Sequence, residues 1–391
     1  MKRPAPMKPC RLLFIANDAD YFADMRLVIA EGARSAGYDV HIAVSPGPGA
    51  KKIEASGFTL HSVPMVRGGT KPIQEIRTIA ALVPLFLSLR PQIVHLVALK
   101  PILYGGIAAR LVRVPNVVAA VAGLGSVFIS SEHRRGIFLK RTVQLFYRLA
   151  LSNPRVKVIF QNREDMKTIQ SLTGIKPTQA VLIGGGSGVD LHRYAMTPEP
   201  AGIPVVVQIS RLLADKGVFE YVQAARILKN RGTAAKFLLA GSTDPANPTS
   251  LSDRDLVELR QEGVVELIGF QADVPNLLSN CNIVVLPSYR EGFPKVLIEA
   301  AACGRAVVAT DVSGCRDAVV DGATGTLVPV RNAEALADAI GRLIEEPERR
   351  LQMGTRARAL AEENFDVRHV VDSHIKLYDE ITAESKPTFI F

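Results

Sequence analysis

Glu291 and Glu299 stand eight residues apart in SYREGFPKVLIEAAACG, after the apolar run NIVVLP. A glycine, a proline and the apolar start of a helical pattern separate them, which puts Glu291 in a loop and Glu299 one turn inside a helix. The first amides of such a helix, at Lys295, Val296 and Leu297, lack intrahelical partners and carry the positive end of the helix dipole. A diphosphate suits that position. Carboxylates on either side of it can accept hydrogen bonds from sugar hydroxyls, one on a ribose and one on a second sugar. Spacing alone leaves a plainer reading open, a solvated loop glutamate and a helix-surface glutamate. A second pair, Arg211 and Lys216 in VVVQISRLLADKGVFEYVQAA, falls between a strand-like and a helical run. Fixed cations there could stabilise charge developing on a departing diphosphate without moving a proton, although such a pair taken alone reads equally well as two surface charges.

Loops of this kind need strands and helices to aim them. RLLFIA, VHIAV, IVHLV, VVAAVA and VKVIF alternate with helical patterns, and after the proline-bearing connector TPEPAGIP (197–204) the alternation restarts with PVVVQIS, KFLLAG, VVELIGF, NIVVLP, AVVAT and GTLVPV. That pattern predicts an α/β chain of two doubly wound, Rossmann-like domains, residues 1–197 and 198–366, facing each other across a cleft near residue 197. A helical stretch from about 367 to 391 is expected to pack back on the first domain. Ligands of open parallel sheets gather beyond the C-terminal strand ends, and Arg211, Lys216 and Glu291 all fall in loops of that kind.

EGFPKVLIE resembles the E-x7-E element of the retaining family 4 glycosyltransferases. The similarity continues through LIGFQADVPNLLSNCNIVVLPS before it and AAACGRAVVATDVSGCRDAVVDGATGTLVPV after it. Taken with the first-domain segments below, the resemblance covers most of the chain and implies the GT-B fold. It further implies that Glu291 contacts donor-sugar hydroxyls, that Glu299 contacts the nucleoside ribose, and that the R-x4-K-G element, here Arg211, Lys216 and Gly217, contacts the donor diphosphate. Pro294 has no N–H, so the loop donors are the amides of Gly292, Phe293, Lys295, Val296 and Leu297. Retaining members resemble front-face displacements in which a donor phosphate oxygen helps deprotonate the incoming hydroxyl. Glu291, Arg211 and Lys216 are accordingly read as the catalytic stabilisers, with no protein nucleophile. The base is expected to be set by the shape around Gly269 and Phe270, with UDP as the donor nucleotide and GDP as the alternative. No metal or other cofactor is expected. Asp18-Ala19-Asp20 has the DxD spacing of the other glycosyltransferase fold but not its context, and Asp253-Arg254-Asp255 shows how cheaply the pattern arises.

In the first domain, ALKPILYGGIAARLVRVPNVVAAVAGLGSVF resembles members that assemble bacterial O-antigen, capsule and related oligosaccharides, often on a polyprenyl diphosphate. Gly123 and Gly125 follow a strand and permit close backbone approach to a ligand, with a plain tight turn as the alternative. Lys100 ends a strand and is a candidate phosphate contact; Asn162 ends another, and GGGSGVD at 184–190 forms the exit from the domain. The chain departs from the family pattern in carrying AND at 16–18 in place of a glycine pair, and Met25 where a histidine often precedes the arginine. Neither His95, in a strand, nor His133, in a basic loop, substitutes for it. The implied reaction is transfer of a hexose or N-acetylhexosamine from a UDP-sugar to a polyprenyl-diphosphate-linked saccharide. Alternatives are a sugar-nucleotide epimerase or hydrolase, or a transferase with a soluble acceptor.

The 391 residues carry 47 Lys and Arg against 38 Asp and Glu, and the surplus is lopsided: 26 against 11 up to Thr197, then 21 against 27. In the basic half, HRRGIFLKRTVQLFYRLALSNPRVK sets Arg134, Arg135, Lys140, Arg141 and Arg148 among Ile137, Phe138, Leu139, Phe146 and Leu149. This basic amphipathic pattern suits an anionic membrane surface, or else a half-buried helix with a solvated face. Peripheral attachment to the cytoplasmic face of the plasma membrane is the expectation. Nucleic acid is a poor partner, because the chain has no Trp, 6% aromatics and no recognisable module. A pyridine-nucleotide dehydrogenase is disfavoured because no GxGxxG follows Leu12–Ala16. Thr78–Leu89 is too short to span a bilayer, which takes about 20 residues, and Val114–Ser131 is broken by Pro115, Gly123 and Gly125. Cys10, Cys281, Cys303 and Cys315 show no CxxC pairing and read as thiols in a reducing compartment. LLFIA before Asn17 is too short for the apolar core of a signal peptide.

Overall fold

The computed structural model describes residues 9–65, 72–121, 123, 134–245 and 247–384. It divides into two compact units, Met1–Ser187 with Arg368–Phe391, and Gly188–Val367. Seven strands form the first unit's sheet: β1 (Arg11–Ala16), β2 (Asp39–Val44), β3 (Thr59–Ser62), β4 (Ile93–Val97), β5 (Asn116–Val121), β6 (Val156–Phe160) and β7 (Ala180–Leu182). Helices α1 (Ala19–Met25), α2 (Leu27–Ser35), α3 (Gly49–Ala55), α4 (Pro72–Leu89), α5 (Gly106–Leu111), α6 (Arg134–Leu151) and α7 (Arg163–Thr173) connect them. The second unit carries β8 (Val205–Ile209), β9 (Lys236–Ala240), β10 (Glu266–Gly269), β11 (Ile283–Leu286), β12 (Ala306–Thr310) and β13 (Gly325–Val328). Its helices are α8 (Val218–Asn230), α9 (Asp253–Glu262), α10 (Val274–Ser279), α11 (Lys295–Ala302), α12 (Ser313–Ala318), α13 (Ala333–Glu345) and α14 (Pro347–Asn364), and α15 (Val367–Glu384) follows.

Among the described residues every strand pairing within the two sheets is parallel, as the βαβ alternation requires, and the fold class read from the sequence holds. Each sheet is buried on both faces, with β4, β5, β11 and β12 buried along their whole length. The two-residue strand period divides the side chains between two cores: Leu12 and Phe14 point into one with Phe22 and Ile42, and Leu13 and Ile15 into the other with Leu82 and Phe86. Val206 and Val207 divide the second unit in the same way.

Strand order is β3-β2-β1-β4-β5-β6-β7 in one sheet and β10-β9-β8-β11-β12-β13 in the other. In each, the winding reverses beside the first strand, so loops leaving β1 and β4, and those leaving β8 and β11, diverge around a crevice. Those two switch points are where chemistry belongs.

Sequence reading put the division at 197. In the structure residues 188–197 go with the second unit, because the exit segment pairs with the chain's return: the Val189 amide donates to Phe365 O at 2.8 Å and Val367 donates back to Val189 O at 3.1 Å. Helix α15 lies on the first unit, where Tyr38 Oη donates to Asp379 at 2.8 Å and Tyr378 Oη lies 2.5 Å from His95 Nδ1. His95 stacks against Phe14 in the core, and burial, with His374 and Arg26 close by, holds its pKa well below the ordinary histidine value. It is a packing group, not a cleft base.

Candidate functional site

The strongest constellation lies at the β8/β11 switch point of the second unit. After β8 the chain turns through Arg211 and Lys216 and enters α8 at Gly217, whose φ is +69°. A Cβ there would sit 2.1 Å from Pro287 O, so only glycine lets the start of α8 close against the loop leaving β11. That closeness brings Lys216 Nζ to 2.6 Å from Glu291 Oε1, with the side chains only 20% and 12% exposed. Gln208 Nε2 holds the Lys216 carbonyl at 2.9 Å, and the Tyr289 amide donates to Asp215 O at 2.9 Å, tying the two loops together. Gly314, on α12, packs where a Cβ would be 2.5 Å from Gly292 O.

Helix α11 begins after Pro294, and no side chain caps it. The amide of Leu297, expected to be open, instead donates to Pro294 O at 3.2 Å, because the first turn closes with an i to i+3 bond. Leu297 packs its side chain in the core, Val296 is half-buried, and Phe293 packs its ring edge-on against Phe365, 5.8 Å between centroids. The Val296 amide has no protein acceptor among the described residues. The opening for an anion is thus narrower than the sequence suggested.

Glu299 follows one turn on and is 6% exposed. Tyr194 Oη donates to its Oε1 at 2.6 Å, and Lys295 Nζ lies 3.6 Å from the same oxygen. Arg358 Nη1 anchors Tyr194 by its carbonyl, at 2.9 Å, and reaches the Ala302 carbonyl at 2.7 Å. Burial pushes the Glu299 pKa up, and Lys295, Tyr194 and Arg193 only partly offset it. Nothing local in the sequence ties Tyr194 to a glutamate 105 residues away; the link exists because the exit segment crosses the end of α11.

Other residues fall differently. Arg211 turns to Asp244 at 2.6 Å and is 43% exposed, so the structure does not join it to the Lys216–Glu291 pair. Gly269 ends β10 with φ +69° and its carbonyl accepts the Gly241 amide at 2.8 Å, while Phe270 next to it is 75% exposed. Gly123 has φ +107° and belongs to the first unit, after β5; Gly125 and His133 lie outside the described residues. Lys100 is no solvated lysine, since its Nζ is 2.7 Å from Glu75 Oε1 with both side chains about 85% buried. Asn162 caps α7 by accepting the Asp165 amide at 2.7 Å. Asp18 caps α1 and Asp20 accepts the Gly49 amide at 2.5 Å, which gives the DxD pair a structural use. Among the described residues no group of three or more His, Cys, Asp or Glu side chains is arranged to hold a metal, and no helix is long and apolar enough to cross a membrane. The four cysteines are unbridged.

Residues 11–162 match the family described as glycosyl transferase 4-like, and residues 196–360 match glycosyl transferases group 1. The N,N'-diacetylbacillosaminyl-diphospho-undecaprenol alpha-1,3-N-acetylgalactosaminyltransferase of Campylobacter jejuni is 27% identical over 384 residues, covering 95% of this chain and 99% of that protein. The Staphylococcus aureus capsular polysaccharide biosynthesis glycosyltransferase CapM is 27% identical over 369 residues, covering 91% and 93%. The crystal structure of Anabaena HepE in complex with UDP-glucose superposes with a TM-score of 0.75 at 20% identity, over 95% of this chain and 99% of that one, a likeness of fold. Two family matches that between them take in β1–β6 and β8–β13, two full-length relatives and the architecture agree: the chain belongs to the group 1, family 4-like glycosyltransferases and has the GT-B fold.

Proposed function

We propose that the protein transfers a hexose or N-acetylhexosamine from a UDP-sugar, with retention, to a saccharide carried on a polyprenyl diphosphate. The observation that carries this reading is the Lys216–Glu291 pair at the β8/β11 switch point, beside the side-chain-uncapped start of α11. Lys216, Arg211 and the amides around Val296 would take the diphosphate, and Glu291 the donor sugar. Tyr194 donates to Oε1 of Glu299 and Lys295 lies 3.6 Å from the same oxygen, and the carboxylate held in this way would accept a ribose hydroxyl. The diphospho-undecaprenol in the name of the Campylobacter relative supports the lipid-linked acceptor, and the UDP-glucose bound to HepE supports the nucleotide.

Membrane attachment is part of the proposal. Residues 72–155 hold 11 Lys and Arg against two Asp and Glu, a surplus as large as that of the whole chain. In this segment α4, α5 and α6 pack side by side and expose Leu87, Leu111, Leu145 and Leu149. Exposed leucines among arginines fit an anionic bilayer at the cytoplasmic face.

A panel of UDP- and GDP-sugars offered with short-chain polyprenyl-diphosphate sugars, product linkage read by NMR, tests the reaction. An α-linked product from a UDP-sugar is expected. A β-linked product, turnover that ignores the acceptor, or a GDP-only donor would overturn the corresponding part. A pH prediction follows from Glu299. Because burial raises its pKa, it takes up a proton above the ordinary glutamate value of about 4.3 as pH falls, and a protonated carboxyl loses an acceptor for the ribose. Donor KM should therefore climb as pH falls, beginning above the usual carboxylate range. Tyr194→Phe removes a donor to the ionised form and should move that climb to higher pH; an identical profile would detach Tyr194 from the donor site.

A further inference from the structure

Lys216 ends a single 3₁₀ turn, Ala214–Lys216, and passes straight into the left-handed Gly217. A turn that short has few bonds of its own and poorer hydrogen-bond geometry than an α-helix, so its position is set by what holds it from outside. One residue grips it at two points. The Tyr289 amide donates to Asp215 O at 2.9 Å and the Tyr289 hydroxyl donates to Glu220 Oε1 at 2.7 Å, so the two bonds bracket Lys216 along the chain. Both ends of the clasp are themselves held. Thr249 Oγ1, in the loop after β9, donates to Asp215 Oδ1 at 3.1 Å, and the Arg331 guanidinium, in the loop after β13, lies 4.6 Å from the centroid of the Tyr289 ring. Glu220 stands in the first turn of α8, yet its Oε2 is buried with no hydrogen-bond partner among the described residues. Burial, with Glu220 beside it, pushes the Tyr289 pKa up to about 12, which keeps the phenol a donor.

We propose that Tyr289 is a positioning residue of the donor site, whose paired bonds to Asp215 and Glu220 hold Lys216 against Glu291. The inference rests on the reading of the Lys216–Glu291 pair as the group that meets the donor diphosphate. Both members of that pair sit on loops, which fix a side chain less precisely than helices or strands do. Tyr289 lies two residues before Glu291 on one loop and bonds the turn that carries Lys216 on the other, so it sets the separation of the two charges. Phenylalanine at 289 keeps the amide bond and the ring beneath Arg331, but strands a partly buried carboxylate at the start of α8. Solvating that carboxylate lifts the first turn of α8, and Lys216 moves with it.

Tyr289→Phe should lower kcat for sugar transfer about tenfold, less than the roughly 100-fold that a 1 Å misplacement can cost, with donor KM changed by about twofold or less. Glu220→Ala removes the same bond from its other end and should give the same loss, which keeps the test open if Tyr289→Phe unfolds. Glu220→Gln retains an acceptor for the hydroxyl and should restore most of the rate. In a Lys216→Met background both losses should shrink to about twofold or less, because the group being positioned is gone. The phosphorus NMR shift of the β-phosphate of saturating UDP runs the same cycle without an acceptor. Tyr289→Phe should move that shift part of the way that Lys216→Met moves it, and add nothing on top of it. Unchanged kcat and shift in folded Tyr289→Phe, or an undiminished loss in the Lys216→Met background, would make Tyr289 a structural residue and overturn the proposal. Wild-type turnover and shift in Lys216→Met would instead overturn the diphosphate reading, and this proposal with it. Because the phosphorus arm needs no acceptor, a failure of the polyprenyl-diphosphate reading leaves its result standing.

Discussion

Lys216→Met is expected to lower kcat/KM for sugar transfer by about 100- to 1000-fold, with most of the loss in kcat. A preorganised group that meets charge developing in the transition state is worth about 2.7–4 kcal/mol when removed. Lys216 is such a group if the diphosphate binds beside α11: it is four-fifths buried, 2.6 Å from Glu291, and its main chain is fixed by Gln208 and by the left-handed turn at Gly217. Methionine keeps much of the stem and removes the ammonium. It also leaves Glu291 mostly buried without its cation, which should cost about 1–3 kcal/mol of stability, by the penalty for orphaning a charged hydrogen-bonding group. The double variant Lys216→Met, Glu291→Gln separates the two effects. Neutralising both partners should return most of the lost stability, measured by urea unfolding, while turnover stays down. If turnover recovered with stability, Lys216 would be a structural cation and the electrostatic assignment would fail. Arg211→Met should cost less, since its guanidinium is 43% exposed and already engaged by Asp244.

The alternation of buried strands with helices was legible because parallel strands covered on both faces must be nearly continuous apolar runs, and RLLFIA, IVHLV, VVAAVA and NIVVLP are such runs. The family was legible for a related reason: EGFPKVLIE and RLLADKG compress loop, helix start and charge into a few consecutive residues. Pairings that depend on tertiary approach were not. Tyr194 reaches Glu299 and Glu75 reaches Lys100 across 105 and 25 residues, and neither partner carries a local signature. The Leu297 amide differs from expectation for a smaller reason: helix rules leave the first amides open and take no account of a first turn that tightens onto Pro294. The boundary at 197 followed the prolines, whereas the chain's actual partition follows the hydrogen bonds between residues 189 and 365–367.

Arg305→Met should destabilise the second unit by about 3–5 kcal/mol, because several buried oxygens lose a donor at about 1–3 kcal/mol for each one left unsatisfied. The side chain is 1% exposed and makes five hydrogen bonds, all to neutral oxygens: Leu278 O at 2.8 Å, Thr197 O at 2.8 Å, Thr197 Oγ1 at 2.7 Å, Ser279 O at 3.1 Å and Pro198 O at 3.3 Å. Carbonyls at the end of α10 and on the connector therefore share one planar fork, which lysine could not reproduce with a single ammonium. The same fork anchors the segment that carries Tyr194 toward Glu299, so loss of stability and loss of donor affinity should travel together. In calorimetry the transition of the second unit should fall by roughly 10 °C, taking about 2–4 °C per kcal/mol for a unit of this size, and the transition of the first unit should stay in place. Saturating UDP should recover part of the shift in proportion to the affinity that remains. An unchanged second transition would mean that the connector is held by its backbone alone. Arg305 would then be dispensable to the donor site.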